Sequence, residues 1–212
     1  MNSAFERIRT RRLLPAVSSL ESADDAVRLA EALLAAGLDV MEITLRHPSS
    51  LDGIAAIAEK VPGMCCGAGT ILRPEQVDEV IEAGGKFGVS PGYNPETILA
   101  ASDRGLPFIP GVATPGEIEQ SMALGCELVK LFPSEPLGGL GFLRAISGPY
   151  ANTGVGIVPM GGISLDNFPS YLSLPIVAAV GMSALTPSAA IEVGDWEGIT
   201  ESTRKILETA QV

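Results

Sequence analysis

A lysine inside an apolar run is the first feature of this chain that could do chemistry. Lys130 stands in the run Leu128-Val129-Lys130-Leu131-Phe132, with apolar neighbours on both sides. Burial removes hydration from an amine and lowers its pKa, and a neutral amine is what a Schiff-base nucleophile requires. The other three lysines end a helix, start a strand or stand in a polar helix: Lys60, Lys86 and Lys205. Lys130 is therefore the candidate nucleophile, and the alternative is a lysine that reaches the surface or pairs with a carboxylate.

An acidic and a basic residue alternate along an earlier run, Val40-Met41-Glu42-Ile43-Thr44-Leu45-Arg46. Side chains of a strand point alternately to its two faces, so Glu42, Thr44 and Arg46 share one face. A carboxylate on an interior face is costly unless it is paired or used in a reaction. Glu42 is therefore either a working carboxylate or one half of a structural ion pair with Arg46.

Glycines close three further runs. The sequences Met160-Gly161-Gly162-Ile163-Ser164 and Gly181-Met182-Ser183-Ala184 would let backbone N–H groups approach an anion such as phosphate. A glycine pair is also an ordinary turn signal. Thr70 follows the third run, Gly67-Ala68-Gly69, where its hydroxyl could bind a carboxylate or cap the loop.

Short apolar runs that could position these residues recur along the whole chain. Each starts 20 or more residues after the previous one: 13–17, 40–45, 64–68, 86–89, 107–109, 128–132, 156–160 and 176–180. Helical periodicity fills most gaps, and the clearest helices are predicted at 24–36, 51–60, 75–83, 95–101, 115–124 and 196–211. Eight apolar strands that alternate with helices predict an α/β fold, a parallel (β/α)₈ barrel. A short helix precedes the first strand.

An open doubly wound sheet is the alternative fold. Eight units of even length favour closure into a barrel, and no glycine-rich dinucleotide fingerprint follows a strand. Nothing marks an interior linker, so one domain over residues 1–212 is expected. In a barrel of this type the chemistry belongs at the carboxyl ends of the strands.

Composition excludes several classes of partner. The chain has 212 residues, a net charge of −11 and 46% hydrophobic residues. An acidic chain is a poor ligand for nucleic acid, which binds clustered Lys and Arg. No apolar run approaches the roughly 20 residues of a membrane span. The three cysteines lack metal-ligand spacing, which favours buried thiols in a reducing, cytoplasmic compartment.

The motifs, taken together and in order, resemble a known family. They are Glu42-Ile43-Thr44-Leu45-Arg46, Gly67-Ala68-Gly69-Thr70, Ser90-Pro91-Gly92, Ile109-Pro110-Gly111, Lys130-Leu131-Phe132-Pro133 and Gly161-Gly162-Ile163-Ser164. The same order is found in the bacterial 2-keto-3-deoxy-6-phosphogluconate (KDPG) aldolases, which include the bifunctional 4-hydroxy-2-oxoglutarate aldolases. The resemblance extends from about residue 13 to residue 187.

The resemblance implies a class I aldolase that needs no cofactor and no metal, acts on a small keto-acid phosphosugar and forms a homotrimer. It implies that Lys130 forms the imine and that Glu42 is the general acid/base. The implied binding residues are Arg46 and Thr70 for the substrate carboxylate, Pro91 and Phe132 as pocket walls, and Gly161, Gly162 and Ser183 for the phosphate.

Two residues depart from the family pattern. Met160 stands where the family commonly has Thr, and Met182 replaces a frequent Gly in the phosphate loop. The related 2-keto-3-deoxy-6-phosphogalactonate aldolases commonly have Asn in place of Arg46 and Thr-Pro-Asn in place of Ser90-Pro91-Gly92, so this chain is closer to the gluconate branch.

Three other functions remain as alternatives to KDPG cleavage. One is an aldolase of 4-hydroxy-2-oxoglutarate or of the galactonate series. The second is a sugar-phosphate epimerase or isomerase, which would not need a lysine inside a strand. The third is a non-catalytic phosphosugar binder, in which Lys130 would be only a counter-ion.

Overall fold

A computed structural model describes residues 3–18 and 20–210. Strand segments and α-helices alternate along these residues. The strands are β1 Leu13–Val17, β2 Val40–Thr44, β3 Cys65–Gly69, β4 Gly88–Val89, β5 Phe108–Ile109, β6 Gly111–Val112, β7 Leu128–Leu131, β8 Gly156–Pro159 and β9 Val180–Met182. The helices are α1 Ala4–Arg11, α2 Ala23–Ala36, α3 Ser50–Lys60, α4 Glu75–Glu82, α5 Pro95–Asp103, α6 Pro115–Ala123, α7 Gly139–Tyr150, α8 Phe168–Leu172, α9 Ser188–Glu192 and α10 Trp196–Ala210.

The strands form a closed, parallel barrel. One sheet has the order β5-β4-β3-β2-β1-β9 and the other has the order β6-β7-β8, and every strand pair is parallel. The chain itself joins the two sheets at Pro110, and a bridge between Met160 and Gly181 joins them at the other edge. The prediction of a (β/α)₈ barrel with a short N-terminal helix is confirmed.

The fifth barrel strand is longer than the predicted 107–109 and is divided into β5 and β6 by Pro110. Proline has no N–H to donate to a ladder. Its carbonyl still accepts a hydrogen bond from the Lys130 N–H at 2.8 Å, so the strand continues through Gly111 and Val112.

The eighth barrel strand begins later in the chain than the sequence pattern predicts. The segment 176–180 is apolar, but β9 begins only at Val180. Val177 still closes a turn after α8, because its N–H donates to Leu174 O at 2.9 Å. Its one strand-like contact is an isolated bridge to Ile157. Apolarity in this segment therefore reflects packing, and the strand pairing lies further along the chain.

The predicted helices agree with α2, α3, α4, α5, α6 and α10 to within two residues, and residue 211 of the last predicted helix lies outside the described residues. Among the described residues, no helix combines the length and the apolar character that crossing a membrane requires.

Helix α1 lies across the amino ends of the strands. It begins with a capping box between Ser3 and Glu6, and it buries Ile8 completely. Arg7 and Arg11 both bind Asp39, the residue before β2, at 3.0 and 2.7 Å. This end of the barrel is therefore closed by a helix and by paired charges, and the opposite end is left open.

Candidate active site

An open cavity of about 500 Å³ lies at the carboxyl ends of the strands. All nine residues that the sequence indicated as site residues line it: Glu42, Arg46, Thr70, Pro91, Lys130, Phe132, Gly161, Gly162 and Ser183. They come from six of the eight barrel strands or from the loops that follow them. The barrel topology thus brings together residues that are far apart in the sequence.

Lys130 and Glu42 face each other inside the cavity. Lys130 lies in β7 and Glu42 in β2, and the distance from Lys130 Nζ to Glu42 Oε1 is 3.9 Å. Glu42 is fully buried and Lys130 is 6% exposed. Neither carboxylate oxygen of Glu42 has a hydrogen-bond partner in the structure. A separation of 3.9 Å is too long for a direct hydrogen bond and is suited to a bridging water.

The carboxylate of Glu42 occupies space that a glycine leaves free. A Cβ at Gly69, on the neighbouring strand β3, would lie 2.1 Å from Glu42 Oε1. Burial raises the pKa of Glu42, and the nearby cations Lys130 and Arg46 oppose that rise. A buried carboxyl group with a raised pKa and no fixed partner can accept and return a proton.

Arg46 lies just beyond the end of β2, on the same face as Glu42. Its Nε donates to Thr44 Oγ1 at 3.1 Å. No carboxylate lies within ion-pair distance of Arg46 in residues 3–18 and 20–210. The alternative of a structural Glu42–Arg46 ion pair is therefore not what the structure has. Arg46 offers an unneutralised guanidinium to the cavity.

Thr70 has an unusual backbone. Its φ is 61°, in the left-handed region that β-branched residues rarely adopt. Residues held in such conformations cluster at functional sites, where the surrounding structure supports the strain. In this case the strained residue lies at the end of β3 and lines the cavity beside Glu42 and Arg46.

The pocket wall at Pro91 is fixed by a glycine and a serine. A Cβ at Gly111 would lie 2.2 Å from the carbonyl carbon of Pro91, so only glycine permits this contact. Ser90 Oγ donates to Gly92 O at 2.7 Å and accepts from Gly111 N. Opposite this wall, the centroid of the Phe132 ring lies 4.9 Å from Lys130 Nζ.

Gly161 and Gly162 form the far end of the cavity, and both have a φ of +87°. The backbone of the segment after β7 holds this loop, since Glu135 N donates to Gly161 O at 3.0 Å. Met160 and Met182, each 3% exposed, add apolar surface at this end. Of the described residues that line the cavity, Glu42, Arg46 and Lys130 are charged, and none of the described residues at this far end is a lysine or arginine.

Sequence reasoning did not assign a role to Ala16, Ser18 or Thr44, which also line the cavity. Strand parity could have indicated Thr44, because it shares a face with Glu42 and Arg46. Ser18 lies in the loop after β1, and no motif marks it.

The three cysteines lie outside the cavity lining. Burial raises the pKa of Cys65 and of Cys126 to about 11, and it raises the pKa of Cys66 further. In the ranges 3–18 and 20–210, no three His, Cys, Asp or Glu side chains are grouped as metal ligands.

A family model described as KDPG and KHG aldolase matches residues 5–202 of this chain. The chain belongs to this family. Aldolases are carbon–carbon lyases, so the predicted family and the predicted enzyme class are both confirmed.

Individual relatives of the KDPG and KHG aldolase family match over nearly their whole length. The KHG/KDPG aldolase of Escherichia coli K12 is 41% identical over 210 residues, which cover 99% of this chain and 98% of that protein. KDPG aldolase from Legionella pneumophila has a TM-score of 0.91 at 35% identity and covers 97% of this chain and 98% of that one. That structure holds pyruvate as a covalent carbinolamine. The KDPG aldolase of Zymomonas mobilis ZM4, with 3-phosphoglycerate, has a TM-score of 0.88 at 34% identity and covers 96% of this chain and 94% of that one.

Proposed function

We propose that this protein is a class I aldolase that cleaves KDPG to pyruvate and glyceraldehyde 3-phosphate. The observation that carries the proposal is the juxtaposition of two buried groups. The Lys130 amine lies 3.9 Å from the Glu42 carboxylate, which has no hydrogen-bond partner among the described residues. A structural lysine would be expected to satisfy its carboxylate with a hydrogen bond.

The first step joins the substrate to Lys130. The neutral Nζ attacks the keto carbon C2, and the π electrons of the C2=O bond move to the oxygen. One proton passes from the nitrogen to that oxygen, which gives a carbinolamine. Loss of water then gives the protonated imine. Glu42, through a water between it and Nζ, supplies the proton that the departing hydroxyl needs.

The second step breaks the C3–C4 bond. The proton of the C4 hydroxyl goes to Glu42, the C4–O bond becomes a carbonyl, and the electron pair of the C3–C4 bond moves to C3. The protonated imine accepts this charge as an enamine, so no metal is required. Protonation of C3 by the same carboxyl group and hydrolysis of the imine release pyruvate and restore Lys130.

Substrate binding divides between the two ends of the cavity. The unpaired Arg46 guanidinium and the Thr70 hydroxyl hold the carboxylate next to the keto group, because a guanidinium matches a carboxylate in a bidentate manner. Pro91 and Phe132 enclose the reacting carbons. Backbone N–H groups of Gly161 and Gly162, with the Ser183 hydroxyl, bind the phosphate.

A shorter substrate, 4-hydroxy-2-oxoglutarate, is the second candidate. The far end of the cavity has no basic side chain and carries Met160 and Met182, which favours a substrate with less anionic charge there. Steady-state cleavage of both compounds tests this choice. A kcat/KM for 4-hydroxy-2-oxoglutarate that exceeds the value for KDPG would overturn the choice of KDPG and leave the aldolase mechanism intact.

The homotrimer, the single domain over residues 1–212 and the cytoplasmic location remain predictions that the family resemblance supports. Light scattering of the purified protein at several concentrations measures its molar mass directly. A mass that stays at one or two chains would contradict the homotrimer.

Trapping the imine is the direct test of the mechanism. The protein is incubated with pyruvate, reduced with borohydride and digested, and the modified peptide is identified by mass spectrometry. We expect the adduct on Lys130, its loss in Lys130→Ala, and a fall in kcat on the order of 10³-fold or more in that variant. Lys205→Ala is the matched control, because Lys205 is an exposed residue of α10, and it should leave the adduct intact. An adduct elsewhere, or none, would contradict the Schiff-base assignment.

A further inference from the structure

The guanidinium of Arg46 is held by a single side-chain contact in the part of the chain that the structure describes. Its Nε donates to Thr44 Oγ1 at 3.1 Å. Arginine has a long stem with many rotamers, and fixing it costs conformational entropy. The Thr44 hydroxyl is therefore what determines where this guanidinium points in the cavity.

The Thr44 hydroxyl has a second neighbour, a backbone carbonyl to which its hydrogen can point. A hydroxyl has one hydrogen to donate and two lone pairs to accept with. Thr44 Oγ1 faces Ser18 O, after the end of β1, at 3.5 Å, which is longer than the usual O–H···O length of about 2.5–3.0 Å, so this donation is weak. Its lone pairs are then left for Arg46 Nε. Thr44 is only 4% exposed, so water does not compete strongly for the hydroxyl.

The backbone of Thr44 is anchored as well. Its carbonyl oxygen accepts from Ser50 Oγ at 2.8 Å and from Arg46 N at 2.8 Å. The second bond closes a tight turn between residues 44 and 46. Ser50 is 3% exposed and begins α3, so the first turn of a helix supports this turn.

We infer that Thr44 is a positioning residue for the carboxylate of the keto-acid substrate, acting through Arg46. The inference rests on the proposed function, in which that carboxylate lies on Arg46. Because Nε is occupied by Thr44, the two terminal amino groups of the guanidinium are the ones that face the substrate. Those two groups form the bidentate fork for a carboxylate. Without the hydroxyl, the fork would lose its fixed orientation.

The test uses an isosteric pair of variants. Thr44→Val keeps the shape of the side chain and removes the hydroxyl, whereas Thr44→Ser keeps the hydroxyl. The readout is the pyruvate concentration that gives half-maximal trapping of Lys130 by borohydride. We expect Thr44→Val to raise it by about 10-fold, the usual scale of a hydrogen bond to a charged group, and Thr44→Ser to restore a value near that of the wild type.

A ketone without a carboxylate separates positioning from a general defect. Hydroxyacetone forms an imine with an amine but gives Arg46 nothing to bind. Its trapping should be equal in the wild type and in Thr44→Val. If Thr44→Val reduces trapping of both compounds alike, the residue is merely structural and the inference is overturned.

A double-mutant cycle tests whether Thr44 acts through Arg46. In an Arg46→Ala background, Thr44→Val should leave half-maximal pyruvate trapping unchanged, because its target is already gone. A further 10-fold loss in that background would contradict the inference. Failure of the proposed function would look different, since the wild type itself would then give no pyruvate adduct on Lys130.

Discussion

Two carboxylates lie three residues apart along one strand, Asp39 just before β2 and Glu42 in its middle, and their surroundings differ sharply. Asp39, just before β2, binds Arg7 at 3.0 Å and Arg11 at 2.7 Å. Glu42, within β2, is fully buried and lies 3.9 Å from Lys130 Nζ. It has no hydrogen-bond partner in residues 3–18 and 20–210. One carboxylate is neutralised by two direct bonds, and the other is left without any.

The different surroundings of Asp39 and Glu42 indicate that one end of the barrel stabilises the fold and the other end carries the chemistry. At the amino ends of the strands, α1 pairs its charges and covers the core, as expected for an end that only stabilises the fold. At the carboxyl ends, one cavity is lined by the Glu42 carboxylate, which has no hydrogen bond among the described residues, by the Arg46 guanidinium, which has no ion pair among them, and by the strained Thr70. Such groups cost folding free energy, and their retention indicates a function.

Replacing Glu42 or Asp39 by the corresponding amide should give the largest difference in activity between the two ends of the barrel. Glu42→Gln should lower kcat by a factor on the order of 10² to 10⁴, because it removes the proton carrier. Asp39→Asn should leave kcat and KM within about two-fold of the wild-type values, because we expect no residue at the amino end of the barrel to touch the substrate. Steady-state cleavage assays on both variants measure the contrast. If the two variants lose activity equally, the division between the two ends is wrong.

Filling the space beside Glu42 tests geometry without changing any charge. In Gly69→Ala the new Cβ would lie 2.1 Å from Glu42 Oε1, so the carboxylate must move. Misplacing a catalytic group by about 1 Å can cost on the order of 10²-fold, and we expect kcat to fall by that amount. Gly141→Ala is the matched control, because a Cβ at Gly141 in α7 meets nothing within 4 Å. Normal kcat in Gly69→Ala would show that the position of Glu42 does not matter.

The chemical groups at the open end could be recognised from sequence because they break local patterns. Lys130 interrupts an apolar run, and strand parity sets Glu42 and Arg46 on one face. Their distances could not be predicted, because they depend on barrel closure and on the small residues between them. Nothing in the sequence shows that Gly69 makes room for a carboxylate, or that Thr44 Oγ1 faces the carbonyl of Ser18. The roles of the nine site residues stay predictions.

The fold class was predicted correctly from the sequence, but the bounds of two strands, the fifth and the eighth of the barrel, were not. The barrel follows from eight apolar runs and their helical spacers, and it is confirmed. Apolar runs report burial, however, and not strand pairing. The segment 176–180 is largely buried, but only its last residue belongs to β9. Pro110 divides the fifth barrel strand, so its second half was not recognised. Hydrogen-bond partners decide such cases, and they come from distant parts of the chain.

At neutral pH, the ion pairs at the closed end of the barrel should contribute more to the free energy of unfolding than an ion pair on the ordinary surface does. Asp39→Asn weakens two charge-assisted bonds to Arg7 and Arg11, and we expect the free energy of unfolding to fall by about 1–3 kcal/mol. Chemical denaturation monitored by circular dichroism gives this value. Asp78→Asn is the control, because the Asp78–Arg104 pair lies on the surface and should contribute less. An equal loss in both variants would remove the distinction between the closed end and the ordinary surface.

The pH dependence of stability should show that the Glu42 carboxylate, when ionised, works against folding. Burial raises the pKa of Glu42 above its ordinary value of 4.5, so between 4.5 and the raised value the folded state binds the proton more tightly than the unfolded state does. Stability due to this group is therefore fully present below pH 4.5 and is lost as the pH rises, by about 1.4 kcal/mol for each unit by which the pKa is raised.

The experiment compares two variants, Lys130→Met and Lys130→Met/Glu42→Gln, which both lack the neighbouring amine. Their free energies of unfolding are measured from pH 4 to 8. Lys130→Met keeps Glu42 and should lose stability as the pH rises. The stability of Lys130→Met/Glu42→Gln relative to Lys130→Met should therefore increase with pH. A difference that stays flat over that range would mean that Glu42 titrates like a hydrated carboxylate. The contrast between Asp39 and Glu42 would then lie in hydrogen bonding alone.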